Sequence, residues 1–285
     1  MSARVCVIGR GRVGRALARA LAEAGMDHEL VRGRELRASA STFTVYLLAV
    51  PDAHIRAVAE TLAPTMSGAR AARAVALHCA GARGLNELAP LAARGVGVGV
   101  FHPLVSFAAV GRSELRGATF TAFGDARATT AARRLARRLG ASCTVLPAPP
   151  GPAYHAAAAL VANGAAALAH LGTHILAALG FEQRAGERAL AGLLRSVADN
   201  VARVGVPAAL TGPVVRGDAA TVAAHLRALA TLDPKLMRAY AALQPLVLES
   251  ARAAGLDPQS ARNVARTFAA PAAKRRRRAH ASASH

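Results

Sequence analysis

Six residues near the N-terminus have the types and spacing to hold a phosphate. Gly9-Arg10-Gly11-Arg12-Val13-Gly14 is a G-x-G-x-x-G motif, placed directly after the β-branched run 4–8 and at the opening of an amphipathic stretch, Val13–Ala24. In that context Gly9 permits a tight turn, Gly11 lets a pyrophosphate approach the backbone, and Gly14 lets helix and strand pack closely. The helix N-terminus adds free N–H groups and partial positive charge. The second strand should end beside the adenosine ribose, and there the chain has Arg32-Gly33-Arg34, with no acid until Glu35. Arginine suits a ribose 2′-phosphate, so NADP (NADPH) is favoured over NAD. Further along, His78 ends one candidate strand and His102 follows the end of another, where ligands gather in open α/β sheets.

The elements needed to position these groups are legible in the pattern. Strands are expected at 4–8, 29–32, 44–50, 74–78, 96–101, 119–123 and 143–146, with helices at 13–24, 55–62 and 127–139. Such alternation predicts an α/β fold with a doubly wound parallel sheet. Pro147-Ala-Pro-Pro-Gly-Pro152 interrupts it, and everything beyond reads as helix: 153–179, 187–204, a helix opened by Gly217-Asp218, and two opened by Asp233-Pro234 and Asp257-Pro258. The expected organisation is therefore a Rossmann NAD(P)-binding domain at 1–148 and an all-helical substrate and dimerisation domain at 149–270. A basic, disordered tail at 271–285, carrying Lys274-Arg-Arg-Arg-Arg278, would follow.

Composition narrows the function classes. The 285 residues carry 36 Lys+Arg against 16 Asp+Glu, a formal charge of +20, with 53% hydrophobic residues and only 4% aromatic. High apolar content excludes a disordered chain, and three scattered cysteines argue against a disulfide scaffold. The charge raises a nucleic-acid reading, but no recognised motif or stacking aromatics support it, and it ranks last. No His/Cys/Asp/Glu spacing reads as a metal site. Residues 139–181 lack Asp, Glu, Lys and Arg, yet their prolines, histidines and alanines fit a helix buried in a protein or dimer better than a membrane span. With no leader pattern before the first strand, a cytoplasmic protein is expected.

Several strings then fall into one order: Leu48-Ala-Val-Pro-Asp52, His78-Cys-Ala-Gly81, Phe101-His-Pro-Leu-Val-Ser-Phe107, Tyr154-His-Ala-Ala-Ala-Ala-Leu-Val-Ala-Asn163 and Thr211-Gly-Pro-Val-Val-Arg-Gly-Asp218. With the glycine motif, they resemble the family of Rossmann-like proteins with a domain of unknown function 2520, over about residues 4–250. The family is described as NADP-dependent oxidoreductases, with pyrroline-5-carboxylate reductase, ketopantoate reductase and 6-phosphogluconate dehydrogenase as distant relatives. The resemblance implies a Rossmann domain, a helical domain like the C-terminal one of 6-phosphogluconate dehydrogenase that often dimerises, and an active site in the cleft between them. Two departures stand out. Only residues 33–43 join the second strand to the next string, where the family has a further helix and strand, and Ala80 replaces the family's usual serine.

The resemblance also directs attention to particular side chains. In the hydroxyacid-dehydrogenase relatives a Lys and an Asn one helical turn apart do much of the work. Here the asparagine is Asn163, but Ala159 lies one turn earlier, and the two lysines, Lys235 and Lys274, are remote in sequence. His155, two turns before Asn163, is the substitute, since imidazole moves protons near neutral pH. The expected catalytic residues are His155, Asn163 and His102. Cofactor contacts are expected from Gly9–Gly14, Arg32, Arg34, Ala49, Val50, Pro51 and His78, and substrate contacts from Ser106, Thr211 and Arg216, the last as an anion clamp. Each has a structural alternative: a packed helix histidine for His155, a turn residue for His102, an ion pair with Asp218 for Arg216. The expected function is hydride transfer between NADP and a small, anionic carbonyl or imine substrate in a homodimer. The alternative is a non-catalytic NADP(H) sensor.

Overall fold

The computed structural model describes residues 4–35, 43–108 and 114–268; the side chain of Arg34 and the expected tail at 271–285 lie outside the described residues. The chain divides into two compact units, Met1–Ala162 and Asn163–His285. In the first unit, seven strands form one sheet in the order β2-β1-β3-β4-β5-β6-β7. They are β1 (Val5–Ile8), β2 (His28–Val31), β3 (Val45–Leu48), β4 (Val75–His78), β5 (Gly97–Pro103), β6 (Thr119–Gly124) and β7 (Ser142–Val145).

The first five strands are parallel, as expected, but β6 runs antiparallel to β5, and β7 is parallel to β6. The reason lies in the connection: no helix is described between β5 and β6, and a parallel return needs a crossover of a dozen or more residues, usually helical. The sheet's faces follow the period of two along each strand. Cys6, Ile8, Tyr46, Leu48 and Ala76 pack with Ile55, Ala59 and Leu62 of helix α2 (Ile55–Leu62). Val5, Val7, Leu47 and Leu77 pack with Leu17 and Leu21 of helix α1 (Arg12–Glu23), and with Leu135 of the helix between β6 and β7. Burial on both faces explains why these strands read as continuous apolar runs. Smaller helices at Gly68–Arg73 and Ala89–Ala92, which the periodicity did not reveal, fill the β3–β4 and β4–β5 connections.

The chain leaves β1 for the outer β2, then returns across β1 to β3. The order reverses between β1 and β3, and the crevice outside the carboxyl ends of those strands is where such sheets bind ligands. Beyond the sheet come the helices Pro152–Ala178, Gln183–Val204, Ala219–Leu232, Pro234–Ala253 and Pro258–Phe268. Val214, Val222, Leu248, Ala251, Ala261 and Val264 form the core of the second unit. Three of its caps are the aspartates read from sequence, and Glu182 caps the helix Gln183–Val204. Asp218 accepts from the Thr221 N–H at 2.9 Å, Asp233 from Lys235 at 2.7 Å and Asp257 from Ser260 at 3.0 Å. Pro152–Ala178 buries none of its residues, and by length and composition alone it is apolar enough to cross a membrane.

Candidate functional site

The glycine motif sits at the reversal point. Gly9 follows β1 with φ +118°, a conformation that favours glycine, and a side chain there would also strike the carbonyl of Ala49. A side chain on Gly14 would strike the carbonyl of Gly9, so the helix is held against the turn by the absence of one. Nothing lies within 4 Å of the space a Gly11 side chain would take, and Gly11 is the N-cap of α1 with no side-chain cap. Among the described residues, no side chain at the N-cap takes the first-turn N–H groups. Val13 is half-buried against the core. Arg12 donates to the carbonyl of Phe107 at 2.8 Å, tying the loop after β5, with its exposed Ser106, to the glycine turn. Ala49 is buried, Val50 half-buried and Pro51 exposed at the end of β3.

At the end of β2, Arg32 pairs with Glu35 at 3.2 Å and Arg10 reaches the same carboxylate at 3.5 Å. Two guanidinium groups share one carboxylate there. The i,i+3 spacing of Arg32 and Glu35 was visible in the sequence; the part played by Arg10 depends on the fold.

A second group of side chains gathers at the carboxyl ends of β4 and β5. His78 is fully buried, and both ring nitrogens serve its own turn: Nδ1 accepts from the Ala80 N–H at 3.3 Å, and Nε2 donates to the Gly84 carbonyl at 3.2 Å. Burial lowers its pKa below the ordinary value. Cys79, next to it, has its thiol pushed up to about 12 by burial, which keeps it an inert thiol. His102, half-buried, places Nδ1 2.9 Å from the Tyr154 hydroxyl, which in turn lies 2.6 Å from Thr121 Oγ1. His155 is exposed, with its ring centroid 6.1 Å from that of His102. A Cβ built on Gly81 would stand 2.9 Å from His102 Nε2 and 3.1 Å from His155 Nδ1, so both nitrogens face the same space. Burial and then the neighbouring His155 bring the His102 pKa down to about 4, against a smaller opposing pull from Asp52.

The fold thus brings His102 and His155 together and sets Gly9–Gly14 beside Ala49 and Val50. Asn163, Thr211 and Arg216 belong to the second unit, where Asn163 and Arg216 are exposed. Asp218 is occupied as a helix cap, and no ion pair between it and Arg216 occurs among the described residues. Tyr154 and Gly81 lie in the strings read from sequence but were given no role there, and Thr121 was not singled out. Thr121 joins the site only because β6 pairs antiparallel with β5, which sets it opposite His102.

Residues 27–103 match a Rossmann-like domain, and residues 118–245 match the domain of unknown function DUF2520. The chain carries both domains of the family it resembles. The DUF2520 match takes in β6, Thr121, Tyr154, His155 and Asn163, so it supplies part of the histidine cluster as well as helices. Among solved structures, protein TM1727 from Thermotoga maritima is 25% identical, with a TM-score of 0.60 over 88% of this chain and 99% of that one. A pyrroline-5-carboxylate reductase from Coxiella burnetii is 14% identical, with a TM-score of 0.57 over 95% of this chain and 100% of its own. A reductive aminase from Aspergillus terreus, solved with NADPH and ethyl-5-oxohexanoate, is 15% identical, with a TM-score of 0.56 over 92% and 98%. These likenesses establish the fold. Comparison with curated proteins finds no match.

Proposed function

We propose that the protein is an NADP(H)-dependent oxidoreductase acting on a small, anionic carbonyl or imine substrate. The observation that carries this reading is the placing of two sites on one edge of the sheet: an uncapped helix N-terminus behind a glycine turn, and a pair of imidazoles facing one space. The names of the fold relatives, a reductive aminase with NADPH and a pyrroline-5-carboxylate reductase, support it. Gly9, Gly11 and Gly14 would admit the pyrophosphate, the first-turn N–H groups of α1 would bind it, and Val50 and Pro51 would line the nicotinamide side. NADP is preferred to NAD because Arg10 and Arg32 outnumber Glu35 at the ribose end, and guanidinium groups bind phosphate through charge-assisted bonds.

When bound, the nicotinamide supplies or accepts the hydride. His102 and His155 orient the reacting carbonyl or imine from above Gly81, where an imidazole hydrogen bond polarises it. Ser106 holds the substrate from the loop tied down by Arg12. The part taken by Asn163, Thr211 and Arg216, expected from the resemblance, belongs to the same proposal. So does a homodimer through the helical domain, supported by exposed Leu160, Val161, Leu193 and Val197 on two long helices. A cytoplasmic setting is supported by three free cysteines.

Purified protein mixed with NADPH and a panel of aldehydes, ketones, keto acids and imines tests the reading. Substrate-dependent NADPH oxidation is expected. Tight NADPH binding without oxidation across the panel would replace it with the sensor reading, which the absence of a lysine one turn before Asn163 favours.

A further inference from the structure

Resting on that reading for the reaction, we propose that Tyr154 and Thr121 are positioning residues that fix His102 as a neutral imidazole with its proton on Nε2. The site then offers a hydrogen-bond donor suited to a carbonyl oxygen rather than to an iminium nitrogen.

Thr121 is 4% exposed, so its hydroxyl must find its partner inside the protein, and the half-buried Tyr154 brings its own to 2.6 Å. Thr121 has one proton and two acceptors in range: Tyr154 Oη at 2.6 Å and the His102 carbonyl at 3.5 Å, the far limit for a hydrogen bond. That carbonyl also accepts in the ladder: Leu104 donates to Thr119 at 2.9 Å, and His102 and Thr121, two residues on, form the next hydrogen-bonded pair. The far shorter contact takes the hydroxyl proton, so the Thr121 proton goes to Tyr154. The Tyr154 oxygen, now an acceptor, directs its own proton to His102 Nδ1, and the ring proton is left on Nε2.

Charging the ring would put a second proton on Nδ1, facing the Tyr154 proton, and the chain would have to reverse, leaving the Thr121 proton only the distant His102 carbonyl. The other groups around His102 agree with a neutral ring. Burial and the imidazoles of His155, on the same helix as Tyr154, and of His78, on β4, disfavour charge, and only Asp52, after β3, favours it. His102 Nε2–H points to the space over Gly81 that His155 Nδ1 also faces. A donor there pairs with the lone pair of a carbonyl oxygen and stabilises the negative charge that builds on it; an iminium N–H would need an acceptor instead.

Side-chain nitrogen NMR of the isotope-labelled full-length protein, with His102 assigned by a His102→Asn variant, tests this without any substrate. His102 should carry its proton on Nε2 and stay uncharged until the pH falls to about 4. Tyr154→Phe should mix the two tautomers and move the titration upward. With a carbonyl substrate the same variant should lower kcat about tenfold, the effect of one lost orienting hydrogen bond, while KM stays within about twofold. A wild-type ring protonated on Nδ1, or a Tyr154→Phe spectrum unchanged from wild type, overturns the proposal. The wild-type spectrum decides the tautomer even if a variant fails to fold. Failure of the functional reading looks different: NADPH is never oxidised, while the Nε2 tautomer is seen as expected.

Discussion

Strands β1 and β3 bury all four of their residues, whereas the 27-residue helix Pro152–Ala178 buries none. Both are apolar in sequence. The sheet is closed on each face by its own helices, so its side chains leave water within the chain, each large one contributing about 1.5–3 kcal/mol. The helix leaves Leu160 71% and Val161 73% exposed, and Leu193 and Val197 of the next helix are exposed too. One region is closed by its own helices, and the other leaves large apolar side chains exposed.

That contrast can be broken from either side. The largest effect is expected at the glycine turn. Gly14→Val puts a side chain into the carbonyl of Gly9, and NADPH affinity measured by titration calorimetry should fall more than about a hundredfold. Helix content should persist in circular dichroism. The helical side is tested by Val197→Asp, which places a charge on the exposed apolar face; sedimentation should show the mass halving while NADPH affinity changes less than about twofold. If the wild-type protein already sediments as a monomer, the dimer is wrong. Asp125→Ala comes next. This carboxylate accepts from the Ala128 N–H at 2.9 Å, capping the helix Ala126–Arg138, and from the Val98 N–H at 2.8 Å. Its loss should lower the stability of the sheet unit by about 1–3 kcal/mol in a denaturant titration. Arg32→Ala is expected to weaken NADPH about tenfold and NADH hardly at all.

The smallest effect is on pH. The pKa of His102 and that of His78 lie below their ordinary values in the folded protein, so below the ordinary value, and for His102 down to about 4, the unfolded chain binds more protons. Stability is therefore full above the ordinary histidine range and is lost as the pH falls through that window. His102→Asn should flatten part of that loss in thermal melts recorded across the range.

Much of this was legible in the residues. The glycine motif, the strand ends at His78 and His102, and the capping aspartates are local signals, each read from one short segment. The antiparallel β6 could also have been read, because the segment between Phe101 and Thr119 offers no helical period for a crossover. Tyr154 and Thr121 could not. They lie 52 and 19 residues from His102, and no spacing rule links them; only the β5–β6 register and the start of a long helix bring them to one ring. The role of Arg12 was legible as positive charge, but its hold on Phe107, 95 residues away, was not.

NADPH turnover by the intact protein is the most direct test of the proposed oxidoreductase site at the carboxyl edge of the sheet. With a small carbonyl or imine panel, NADPH oxidation is expected that depends on substrate and is lost in His102→Ala, while NADPH affinity is retained. NADPH that binds to wild type and is oxidised by no member of the panel would contradict it.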